Sequence, residues 1–69
     1  MKIKKLLKKC GTTFGQYIIT DKDSGHGPTI YDKSEDVISD FGSWNVYGWS
    51  IEYRFERSYR VKPDIHIIV

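Results

Sequence analysis

The chain predicts an α+β fold in the order αββαββ, a four-stranded antiparallel sheet with two short helices on one face. Three observations predict it. Ile3, Leu6, Leu7 and Cys10 recur at i, i+3, i+4 and i+7, one apolar stripe of a helix. A second short helical pattern occupies 34–41. Four runs rich in aromatic and β-branched residues, near 14–21, 29–32, 44–55 and 65–69, read as strands. With 69 residues the chain makes one domain, 1–69, with a thin core.

Each element has a local cause. Lys2, Lys4, Lys5, Lys8 and Lys9 fill the polar face of the first helix, and Gly11 supplies the left-handed residue that ends it. A helix this short does not hold alone in water, so its stripe must dock. Phe14 to Asp21 and Thr29 to Asp32 form a hairpin around the polar, acidic turn Asp21–Pro28. Ser34 is the N-cap expected for the second helix. Glu35 and Asp36 follow in the first turn, where carboxylates suit the helix dipole. Val37, Ile38 and Phe41 form its apolar face, and Gly42 stops it.

Trp44 to Phe55 reads as one long strand. Alternation puts Tyr47, Trp49, Ile51, Tyr53 and Phe55 on one face, the better core. Trp44, Val46, Ser50, Glu52 and Arg54 fall on the other. Ile65, Ile67 and Val69 give a last strand its matching stripe, with His66 and Ile68 opposite. Pro63 cannot donate to a ladder and marks a bulge, an edge or the end of a turn. Glu56–Lys62 is either a long loop or a tight reverse turn with more strand.

Composition narrows the function. Cys10 is the only cysteine, so no internal disulfide forms. One Cys and two separated His make no structural zinc site, and no cofactor is expected. A single core of this size supplies no more than ~3–5 kcal/mol, which favours a homo-oligomer. The formal charge is +2, with five lysines in residues 1–10 and an acidic middle. That is too little basic excess for an ordinary DNA-binding domain and too little acid for a nucleic-acid mimic. A free thiol and the lack of an apolar run of membrane length point to a cytoplasmic protein with no membrane partner.

The candidate chemistry is a binding surface. Tyr53, Arg54, Arg57, Tyr59, Arg60 and Lys62 mix arginine forks, which grip phosphate, with rings on which bases stack. The plainer reading is a solvated tip whose arginines pair with Glu52, Glu56 and Asp64. The lysine face either lies along phosphates or only keeps the protein soluble. The 21–26 loop lacks the calcium-loop pattern, and His26 has no partner at a catalytic spacing. His66 reads as a hydrogen-bonded strand residue and Cys10 as core. With Trp44, Val46 and Ile68 on it, the second sheet face is an apolar surface left open. No nucleophile–base pair or glycine-rich phosphate loop points to an enzyme.

The opening MKIKKLLKKC, the middle segment YDKSEDVISDFGSWNVYGW and the ending DIHIIV resemble the small proteins encoded by bacteriophages and other mobile elements. The resemblance implies a non-catalytic inhibitor of a host process such as antiviral defence, working in the host cytoplasm. It would act by stoichiometric binding to a host protein or by sequestering a signalling nucleotide. Its candidate contact residues are Trp44, Arg54, Arg57, Tyr59, Arg60 and Lys62. The alternative is a nucleic-acid-binding module that uses the lysine-rich helix and the basic C-terminal hairpin.

Overall fold

A computed structural model describes residues 1–11, 13–53, 55–56, 59–60 and 62–69, with the backbone alone described at 55, 56, 59 and 60. The elements run α1 (Ile3–Cys10), β1 (Tyr17–Thr20), β2 (Thr29–Tyr31), α2 (Ser34–Phe41), β3 (Gly48–Glu52), β4 (Phe55–Glu56), β5 (Tyr59–Arg60) and β6 (Asp64–Ile68). The fold is α+β, with α1 and α2 on one face of a four-stranded sheet in the order β2-β1-β6-β3.

The sheet is mixed. β1 pairs antiparallel with β2, and β6 antiparallel with β3, but β1 and β6 run parallel. The all-antiparallel expectation fails at this central pair. Its physical reason is that β6 carries the fully buried Ile65 and Ile67, a stripe that needs cover on the helix side, so it takes a central position. The more polar GWSIE of β3 is left at the edge.

The expected long strand divides into β3 and β4, and β4 pairs with β5 in a small ribbon of its own. Segment 56–62 therefore contains strand. Glu52 pairs with Asp64 and Phe55 with Arg60, so between the two ladders the returning arm carries one residue more than the outgoing arm. Pro63 lies in that arm, and its carbonyl accepts the Gly15 N–H at 2.8 Å.

The core lies between the helices and the sheet. Ile3, Leu6, Leu7 and Val37 meet Tyr17, Ile19, Ile65 and Ile67, all buried. Phe14 is also buried and meets the Tyr17 ring edge-on, with centroids 5.6 Å apart. Gly11 ends α1 at φ 61°, in the left-handed region that favours glycine. Ser34 is the first residue of α2, and Lys33 takes the N-cap position with no side-chain cap bond. The Lys33 carbonyl accepts the Asp36 N–H at 3.2 Å instead.

α1 is tied at its start to the α2–β3 linker. The Ile3 N–H donates to the Trp44 carbonyl at 3.0 Å and the Lys4 N–H to the Gly42 carbonyl at 3.2 Å. These bonds satisfy two of the donors a helix start leaves open. The Val46 N–H reaches the Met1 carbonyl at 2.7 Å, and Lys2 bridges Asn45. Gly42 is needed here by close approach, since a Cβ on it would sit 2.5 Å from the Ile38 carbonyl oxygen.

Candidate docking edge

β3 closes one side of the sheet, and among the described residues no strand pairs with its outer edge. Sheet edges offer unpaired N–H and C=O groups, and proteins commonly blunt them with short strands, proline or lysine. The opposite edge is blunted: β2 has three residues and follows Pro28. β3 has five, and the run Tyr47–Glu52 contains neither proline nor lysine.

An aromatic row accompanies this edge. Trp49 pairs in register with Ile67 and Ile51 with Ile65, so both side chains stand on the helix side, as alternation requires. Only Ile51 packs against the core. Trp49 is 50% exposed, Tyr47 68% and Tyr53 65%. The expectation that this face of the strand is core is therefore corrected. A helix with its side chains is about 10–12 Å wide and spans roughly two strands. α2 packs toward β2 and α1 lies beside Trp49 without covering it. A cleft of about 390 Å³ remains there, between Met1, Leu6, Lys9 and Cys10 on one side and Trp49 on the other. The Tyr47 ring holds Lys22 Nζ at 5.1 Å from its centroid. The same ammonium bonds Asp23 Oδ2 at 2.9 Å, and that bond raises its pKa.

The face away from the helices carries residues that range from buried to exposed. Register places Ile18, Ile30, Thr20, Asp64, His66, Ile68, Ser50 and Glu52 on it, with Asp64 buried. Ile30 is 55% exposed. Thr20 Oγ1 and His66 Nε2 are hydrogen-bonded at 2.9 Å across the parallel pair, so His66 is a strand residue held by a neighbour. Trp44 and Val46 are not on this face. Both precede β3; Trp44 packs edge-on to Phe41 with centroids 5.0 Å apart, and Val46 leans on the core.

The described residues include only part of the basic tip. Arg54 and Arg57 lie outside the described residues. Tyr59 and Arg60 are described as backbone of β5, and Lys62 is exposed just before β6. Lys4, Lys5 and Lys8 of α1, with Lys2 just before it, line the groove between α1 and α2. Sequence reasoning identified that lysine face, but the groove depends on a helix–helix contact no local pattern encodes. In the 21–26 loop, Asp21 Oδ1 accepts the Asp23 N–H at 3.0 Å, so this carboxylate is turned onto its own backbone. Cys10 is half-buried against the core. Among the described residues no helix is long and apolar enough to cross a membrane.

No protein-family model matches the chain, and neither curated proteins nor solved structures yield a match to it.

Proposed function

We propose that this protein is a non-catalytic, phage-type inhibitor that acts by stoichiometric binding, docking through the free edge of β3. One observation carries the reading: a five-residue edge strand without proline or lysine, flanked by exposed Tyr47, Trp49 and Tyr53. Strand addition uses such an edge, with main-chain bonds giving affinity and flanking side chains giving selectivity. Tyrosine and tryptophan are the residues that most often anchor protein interfaces. The likeness of three segments to small phage-encoded proteins supports an inhibitory use.

Without its target the edge is satisfied by a second copy of the chain. Antiparallel pairing centred on Ser50 sets Trp49 opposite Ile51 and Gly48 opposite Glu52. Aromatic–β-branched pairs of this kind favour the ladder, and no like charges meet.

Affinity capture from a bacterial lysate tests the reading, with the wild type and Trp49→Lys as baits. The wild type should retain one protein in near-equimolar amount, and Trp49→Lys should lose it while keeping its circular dichroism spectrum. Equal retention by both baits, or no retained protein, would contradict the proposal.

A further inference from the structure

The groove between α1 and α2 plays no part in the docking edge. It is an open groove of about 620 Å³, a volume within the range of small-ligand pockets. Lys2, Lys4, Lys5 and Lys8 line one side. Ser39 and Ser43 offer hydroxyls from the other, and Asp40 is the one carboxylate in the lining. Asp40 Oδ2 already accepts the Tyr31 hydroxyl at 2.7 Å.

This lysine arrangement works against the stability of α1. Lys4 and Lys8 are like charges one turn apart. Lys2, Lys4 and Lys5 crowd the helix start, where the macrodipole is already positive, and no acid sits in the first turn. The ion pair of Lys22 with Asp23 lies elsewhere, and Asp40 is the single acid set against the four lysines of the groove. Four lysines against one carboxylate leave the lining net positive.

We infer that the α1–α2 groove binds a small phosphate-bearing anion of nucleotide size, gripped by the lysine ammonium groups. Ile38 and the lysine methylenes form an apolar wall for the rest of the ligand. The first N–H groups of α1 are engaged by Trp44 and Gly42, so side chains, not backbone, hold the phosphate. Lysine ammoniums are flexible point charges, so binding weakens as salt rises. A concave groove of this volume suits a compact ligand better than a duplex, whose phosphates spread along an extended surface.

Calorimetric titration of the full chain tests this with ATP, a cyclic dinucleotide, adenosine, inorganic pyrophosphate and a short single-stranded DNA. At least one nucleotide should bind once per chain, and adenosine should not. Lys4→Gln and Lys8→Gln should each weaken that binding by about tenfold, as expected for a lost charge-assisted contact. Lys33→Gln removes the same charge outside the groove and should leave binding unchanged. All three lysines are exposed, so the fold persists and circular dichroism verifies it. Four outcomes would overturn the inference: no nucleotide binds; Lys33→Gln weakens binding as much as Lys8→Gln; pyrophosphate binds as tightly as the nucleotide; or only the DNA binds, which marks a nucleic-acid surface. None of these bears on the β3 edge.

Discussion

Tyr31 donates its hydroxyl to Asp40 Oδ2 at 2.7 Å, which pins β2 to α2. Burial, then this hydrogen bond and the carboxylate's charge, push the phenol's pKa up to about 12. The folded state thus holds the proton more tightly than an unfolded chain, whose phenol titrates near 10. The stabilisation is complete below the unfolded value and is lost as pH climbs from 10 to about 12. Tyr31→Phe should cost roughly 0.5–1.5 kcal/mol at neutral pH, the usual worth of one hydrogen bond. Urea melts at rising pH should show the gap between wild type and variant closing across that window; a gap constant with pH would show that the bond is not formed. Gly42 makes a second residue-scale test. A methyl there meets the Ile38 carbonyl oxygen at 2.5 Å and disturbs the turn that receives the start of α1. Gly42→Ala should lower stability by about 1–3 kcal/mol in the same assay, as forced overpacking does.

At the scale of elements, helical periodicity was legible and strand placement was not. Ile3, Leu6 and Leu7 are buried as their spacing requires, and Ile65 and Ile67 as alternation requires. Both patterns depend only on neighbours along the chain. The same alternation assigned Trp49 and Tyr53 to the core, and here it misleads. A strand's period gives the side on which a residue stands, while burial depends on whether a helix covers that flank. β3 became the edge because β6 competes better for the centre, a comparison between segments that no local window contains. The parallel β1–β6 pair was hidden for the same reason. The basic tip was read from composition alone, and Arg54 and Arg57 lie outside the described residues. A pair of substitutions separates core from edge. Ile67→Ala should cost about 2–5 kcal/mol, enough to unfold much of so small a domain. Trp49→Ala should cost less, because half of its side chain is already in water. Chemical denaturation of both variants checks the order, and a larger loss for Trp49→Ala would place the aromatic row in the core.

For the whole molecule, two short helices cover one face of a four-stranded sheet and stop short of its β3 side. A thin core, the exposed Ile30 and the exposed aromatic row along β3 leave much apolar surface for so small a protein. A second copy or a target protein on β3 would bury part of it and extend the sheet. Neither the core nor the lysine groove on the helix side would have to move.

The most direct measurement is sedimentation velocity of the purified chain over a range of concentrations, for the wild type and Trp49→Lys. The wild type should associate to a dimer as concentration rises. Trp49→Lys, which sets a charge on the edge, should stay monomeric with an unchanged circular dichroism spectrum. A wild type that remains monomeric throughout, or a dimer that Trp49→Lys leaves intact, would contradict the assignment of β3 as the docking edge.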